Sequence, residues 1–135
     1  MIYIFGHSPS SNPGEFATKA HALDYLRHEL PQTNHFRYRM TININNLNSI
    51  LFAFDGVLLA ELVSQDKFKP SPEDVKEYPK ARATYLIDEI RIFQDKNLRA
   101  SDMGLTRYQF GREVPQDVYE RILEKVGVEE VITNL

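Results

Sequence analysis

The segment Phe36-Arg37-Tyr38-Arg39 alternates aromatic with basic residues. Guanidinium groups bind phosphates and aromatic rings stack on nucleobases, so this combination could hold a nucleic acid. Two arginines flanking Tyr38 are suited to contact phosphate on either side of a base. The alternative is a half-exposed strand with solvated arginines. Both interpretations require an extended segment with one basic face.

A second segment with the same alternation contains Arg107, Tyr108 and Arg112. Basic residues outnumber acidic ones over residues 97–112, in a chain whose formal net charge is −3. Such a loop could grip the backbone of a nucleic acid. The alternative is an ordinary solvated loop.

Metal-binding and catalytic patterns are weak by comparison. His21, His28 and His35 recur every seven residues, but His35 follows the helix-stopping Pro31 and no carboxylate completes a cluster. His7 and Ser8 lack the strand-turn-helix context of a nucleophilic serine. We therefore assign no catalytic residue, no metal site and no cofactor.

The element that must position these residues is a central hairpin over Ile50–Val63. Its two apolar arms meet at Asp55-Gly56, a dipeptide that suits a type I′ turn because both residues must take positive φ. Neither arm alternates apolar with polar residues, so both faces of the hairpin must be covered. The sequence therefore predicts a hairpin at the centre of the sheet.

Further elements follow from local signals. A first strand is predicted at Met1–Phe5, ended by Gly6, and a polar loop leads from it to a helix that starts at Asn12 and stops at Pro31. Further strands are predicted at 36–40, 83–93 and 131–132. The strand at 83–93 should place Leu86, Ile90 and Ile92 on one side, and Tyr85, Ile87 and Phe93 on the other.

After the hairpin, the sequence predicts a long connection and, later in the chain, a second helix. Residues 64–82 contain three prolines and many charges, and we expect an exposed connection there. Ser101 could cap a helical turn. The late helix should begin at Pro115, bury Val118, Ile122, Leu123 and Val126, and end at Gly127.

Strands outnumber helices in this order, and they are joined by a hairpin or by long loops. The expected fold is a single α+β domain over residues 1–135, with a small, mostly antiparallel β-barrel flanked by helices. The chain has no cysteine, so disulfides and thiolate metal sites are excluded. No apolar run approaches the length of a membrane helix and no secretion signal is evident, so we expect a cytoplasmic protein without a membrane partner.

The order of elements resembles the PUA-like superfamily, and within it the EVE, YTH and ASCH groups. The resemblance is carried by three segments that together span most of the chain: the first strand with its Ser/Pro loop (residues 2–10), the apolar hairpin with its Asp-Gly turn and following Ala-Glu (residues 49–63), and the late strand at 85–93 with its downstream helix. PUA-like domains attached to restriction endonucleases have a similar hairpin.

The resemblance implies a pocket at the end of the barrel that holds a flipped or single-stranded base, often a modified one. In the loop after the first strand, the matching residues are His7, Ser8, Ser10 and Asn12. In the neighbouring strand, they are Phe36, Arg37, Tyr38 and Arg39. Imidazole, hydroxyl and amide groups read a base edge, and an aromatic ring supplies a stacking platform.

Three functions remain open at this point. The leading one is a non-catalytic module that binds DNA or RNA, as part of a restriction or RNA-modification system. The second is an ASCH-type amidohydrolase acting on a modified nucleoside, to which Glu15, Thr18 and Lys19 bear a faint resemblance. The third is a protein-interaction domain that docks through the acidic segment Asp117–Glu130.

Overall fold

The central hairpin is present, and both of its faces are covered. The computed structural model describes residues 1–8, 16–39, 41, 48–108 and 111–133. Strand β3 (Ser49–Phe54) and strand β4 (Val57–Phe68) pair antiparallel around Asp55 and Gly56, whose φ angles are 50° and 82°. Alternate β3 residues enter two different cores, Phe52 on one face and Leu51 on the other. The predictions of a type I′ turn and of a doubly covered hairpin are confirmed.

The described strands form one curled, mostly antiparallel sheet in the order β2-β5-β4-β3-β1-β6, and β7 also pairs with β5. β1 and β3 are the parallel pair. The remaining strands are β1 (Ile2–His7), β2 (His35–Tyr38), β5 (Ala83–Phe93), β6 (Arg112–Glu113) and β7 (Val128–Ile132). β1 extends two residues beyond its predicted end, because Gly6 and His7 continue the pairing with β3.

Side chains close the curl between strands that are not neighbours in the sheet. Phe5 of β1 and Tyr38 of β2 stack with ring centroids 4.3 Å apart and 5° between their planes. The Tyr38 hydroxyl donates a hydrogen bond of 2.9 Å to the Gly6 carbonyl. The result is a half-barrel flanked by helices, which agrees with the predicted α+β class and barrel-like sheet.

The first helical segment differs from the prediction at both ends. Helix α1 (Lys19–Asp24) begins after Thr18, whose side chain accepts a hydrogen bond from the His21 amide, and the predicted start at residues 12–15 lies outside the described residues. A π-helical turn (Tyr25–Glu29) and α2 (Leu30–Thr33) then continue past Pro31. Because Pro31 lies in the first turn of α2, where a backbone amide donor is dispensable, it does not end the helical segment.

The predicted long connection after the hairpin is largely structured. β4 continues to Phe68, and helix α3 (Pro72–Glu77) follows with Ser71 and Asp74 forming a reciprocal capping box. Ser71 and Pro72 are a capping residue followed by proline at the first helical position, a signal that the sequence contained. The expectation of a long connection was therefore wrong, although most of residues 64–82 are exposed as expected.

The long strand β5 has the predicted bounds, but its side chains face differently. Tyr85, Ile87, Ile90 and Ile92 all belong to one core, and Phe93 belongs to the other. The pairing of β4 with β5 shifts register on either side of Ser64, which changes the phase of the alternation. Period-two counting cannot detect such a shift, so the predicted division of faces was wrong.

The C-terminal helix α4 (Gln116–Lys125) covers the second core with Val118 and Ile122, and Val126 follows them. Leu123 is 36% exposed, contrary to prediction. The late turn is a 3₁₀ helix (Ala100–Met103) preceded by Arg99 rather than by Ser101. Within the described residues, no helix has the length and apolar character needed to cross a membrane.

Candidate functional site

A cleft of about 400 Å³ opens at the end of β1, beside the hairpin turn. We call it the basic cleft, because three arginines line it. Its lining residues come from five separate parts of the chain: Gly6, His7, Ser8, Arg39, Asp55, Gly56, Arg99, Arg107 and Tyr108. Five of the residues predicted to bind nucleic acid therefore meet here, namely His7, Ser8, Arg39, Arg107 and Tyr108.

Backbone hydrogen bonds bring these segments to one place. The Asp55 amide donates to the His7 carbonyl at 2.8 Å, which joins the end of β1 to the hairpin turn. The Ala100 amide donates to the Gly56 carbonyl at 2.8 Å, and the Arg99 guanidinium donates to the Asp55 carbonyl at 3.2 Å. The turn thus anchors both walls of the cleft.

The Tyr108 ring packs directly on the backbone of Gly6. A Cβ atom added at Gly6 would lie 2.6 Å from the ring, closer than real carbon contacts allow. A side chain at this position would therefore displace the Tyr108 ring. Arg107, next in the chain, has a φ of 57°, a left-handed conformation that costs a non-glycine residue about 1 kcal/mol.

The cleft is positively charged in a chain of net charge −3. Arg39, Arg99 and Arg107 contribute three positive charges and Asp55 contributes one negative charge. Arg39 donates to the Gly6 carbonyl at 3.2 Å, and its guanidinium carbon lies 4.8 Å from the centroid of the Tyr38 ring. Burial raises the pKa of Tyr108, so its hydroxyl stays neutral at physiological pH.

Four of the predicted residues take other roles. Phe36 and Tyr38 are 1% and 0% exposed and pack in the core, so neither ring offers a face to a base. Arg37 donates to the buried Asp74 carboxylate at 2.9 Å. Arg112 lies in β6 and donates to the Thr106 carbonyl at 2.7 Å. The prediction of a stacking platform at Phe36 and Tyr38 is corrected, because the curl of the sheet requires both rings inside.

His7 is buried at the wall of the cleft. Burial lowers its pKa to about 3, so the ring is neutral at pH 7. Its Nδ1 lies 3.2 Å from the Ala53 carbonyl, which can only accept a hydrogen bond, so Nδ1 carries the proton and Nε2 is an acceptor. Ser8 also lines the cleft, whereas Ser10 and Asn12 lie outside the described residues.

The residues considered for metal binding or catalysis are engaged elsewhere. Lys19 forms a 2.6 Å ion pair with Asp95, and Thr18 caps helix α1. Glu15, the third residue of the faint ASCH resemblance, lies outside the described residues. Across the part of the chain that the structure describes, no three His, Asp or Glu side chains are grouped so that they could hold a metal ion.

Sequence reasoning pointed to Arg99 only as part of a basic region, and it gave no role to Asp55 or Gly56 beyond the turn. The short distance between the hairpin turn and residues 99–108 depends on tertiary contacts that no local pattern encodes. Comparison with known proteins does not identify the site either: no family model, no curated protein and no solved structure matches this chain.

Proposed function

We propose that this protein is a non-catalytic module that binds single-stranded nucleic acid at the basic cleft. The arginines of the cleft contact phosphates, and Tyr108 stacks on a base. The observation that carries this proposal is the convergence of Arg39, Arg99 and Arg107, from three distant segments, on one concave surface of an otherwise acidic chain.

Electrostatics favours a polyanionic ligand over a neutral one. Three guanidinium groups with one carboxylate leave a local charge of about +2, and the walls of a concave site focus its field. Arg99 and Arg107 are exposed, so their charges can reach a phosphate backbone. Because the whole chain is acidic, binding should be weak and should fall steeply with added salt.

Tyr108 supplies the aromatic part of the proposed site. It is half-buried, and its ring is held against Gly6. A fixed ring loses little entropy when a base stacks on it, and such stacking contributes about 1–3 kcal/mol per base. This role passes to Tyr108 because Phe36 and Tyr38 are enclosed in the core.

Fluorescence anisotropy with labelled oligo(dT) and oligo(U) at low salt tests the proposal. Arg107→Ala should weaken binding severalfold and reduce the salt slope by about one. Arg121→Ala is the matched control, because Arg121 is an exposed arginine on α4 that pairs with Asp117. Absence of binding at low salt, or equal affinities for the two variants, would rule the cleft out.

A second variant distinguishes the contribution of the Tyr108 ring from that of the arginine charges. Gly6→Ala changes no charge but forces the Tyr108 ring to move. We expect it to weaken oligonucleotide binding by about as much as Tyr108→Ala does, and to add nothing in the double variant, since both changes remove the same contact. Full affinity in Gly6→Ala would exclude stacking on Tyr108.

A further inference from the structure

A second cavity, of about 460 Å³, lies on the other side of His7 between the first helical segment and α3. We call it the acidic cavity. Its polar lining includes Glu29, Glu73 and Glu77, and its aromatic lining includes Phe16, Tyr25 and Tyr78. Of the described residues, His7 is the one that lines both this cavity and the basic cleft.

The charge of this cavity is opposite to that of the basic cleft. Arg37 also lines it, but Arg37 is paired with the buried Asp74 at 2.9 Å, and that pair contributes no net charge. His21 also lines the cavity and is exposed. The three glutamates are exposed, and none of them forms an ion pair with any described residue.

His7 adds a buried acceptor that points to the same kind of ligand. The residue is 4% exposed, and its Nδ1 donates a hydrogen bond to the Ala53 carbonyl. Among the described residues, Nε2 has no hydrogen-bond partner, and His7 lines both cavities. A buried acceptor without a partner favours a ligand that brings a donor.

The aromatic lining of the acidic cavity suits a ligand in which an apolar group is attached to a cation. Phe16 meets the rings of Tyr25 and His7 at centroid distances of 5.1 Å and 5.4 Å. Aromatic faces attract cations, and the neighbouring carboxylates strengthen that attraction. The cavity volume falls in the range of small-molecule sites.

From this arrangement, we infer that the acidic cavity binds a small protonated amine with an aromatic or alkyl arm. The ammonium group contacts the glutamates and donates to His7 Nε2, and the arm lies against Phe16 and Tyr25. This site is independent of the proposed nucleic-acid site, since its charge is opposite and the two sites share only His7 among the residues that the structure describes.

Titration of the full chain at pH 7, followed by amide NMR shifts, tests this inference. Benzylamine, which is protonated at pH 7, should shift amides around Thr33 and Tyr78, with an affinity at least about tenfold above that of benzyl alcohol, its neutral match. Equal affinities, or no shift at millimolar benzylamine, would overturn the inference.

Charge-neutralising variants locate the ammonium group. Glu73→Gln and Glu77→Gln, four residues apart on α3, should each weaken benzylamine binding severalfold. Glu124→Gln makes the same charge change on the exposed face of α4 and should leave binding unchanged. An equal loss in Glu124→Gln would show a general charge effect and would refute the site. Arg107→Ala, which tests the basic cleft, should not change benzylamine binding.

Discussion

Asp74 shows how one buried carboxylate can join separate elements. It is 1% exposed, and it accepts hydrogen bonds from the Arg37 guanidinium at 2.9 Å, the Thr84 hydroxyl at 3.1 Å and the Ser71 amide at 3.0 Å. These donors come from β2, from β5 and from the residue that caps α3. Burial would raise the pKa of Asp74, but the hydrogen bonds from Ser71, Arg37 and Thr84 outweigh it and hold that pKa well below its usual range.

Replacement of this carboxylate should destabilise the protein. Asp74→Asn puts an amide donor where other donors converge and leaves Arg37 without its counter-charge. We expect a loss of about 2–3 kcal/mol at neutral pH, measured by urea unfolding. Asp95→Asn is the control, because Asp95 forms an exposed ion pair with Lys19 and should cost little.

The Asp74 contribution should depend on pH in one direction. Because the folded-state pKa is lowered, its stabilisation is fully present above the unfolded pKa of about 4 and is lost as the pH falls toward the folded value. The stability difference between the wild-type protein and Asp74→Asn should therefore shrink below about pH 4. A difference that stayed constant down to low pH would contradict this role.

At the level of elements, α4 is attached to the sheet by packing and by a hydrogen bond from Tyr119. The Tyr119 hydroxyl donates to the Glu61 carboxylate, which also accepts from Ser49 at 2.6 Å and from Arg91 at 3.0 Å. Burial, with the Glu61 carboxylate beside it, raises the pKa of Tyr119, which remains a donor at any physiological pH. Glu61 is 1% exposed on β4, so this cluster ties the helix to the centre of the sheet.

Two adjacent residues of α4 should respond very differently to truncation. Ile122 is fully buried in the second core, whereas Leu123 is 36% exposed. Ile122→Ala should cost about 2–4 kcal/mol by thermal or urea unfolding, because it leaves a cavity. Leu123→Ala should change stability by no more than about 0.5 kcal/mol. Equal costs would mean that the helix is rotated about its axis.

At the scale of the whole molecule, the curl of the sheet depends on contacts between β1 and β2, which share no backbone pairing. Phe5, Phe36 and Tyr38 form a stacked series, and the Tyr38 hydroxyl ends it at the Gly6 carbonyl. The same curl brings Arg39 to the basic cleft. Stability and site geometry are therefore coupled through one ring.

Tyr38 variants should separate these contributions. Tyr38→Phe removes only the hydroxyl bond and should cost about 1 kcal/mol, while Tyr38→Ala removes a fully buried ring and should cost about 3–5 kcal/mol. Urea unfolding measures both. If Tyr38→Ala were no worse than Tyr38→Phe, the stacked rings would not hold the curl.

Elements whose signals are local could be predicted from the sequence. Asp55-Gly56 specifies its turn because both residues must take positive φ. The apolar pattern set the bounds of β5 and the position of α4. It did not determine which way β5 side chains face, because the register shifts around Ser64 depend on how β4 pairs with β5. α3 was missed because three prolines outweighed the capping signal at Ser71 and Pro72.

Which of the predicted site residues meet depends on long-range contacts. The alternation of aromatic and basic residues predicted one common role for residues 36–39. In the curled sheet, both aromatic rings are buried and Arg37 pairs with Asp74, whereas Arg39 lines the basic cleft. Arg99, Arg107 and Tyr108 join it through contacts across many residues of sequence. A local sequence pattern indicates the backbone conformation of one element and which of its faces is buried. A cleft depends on how several elements pack together, which no single pattern describes.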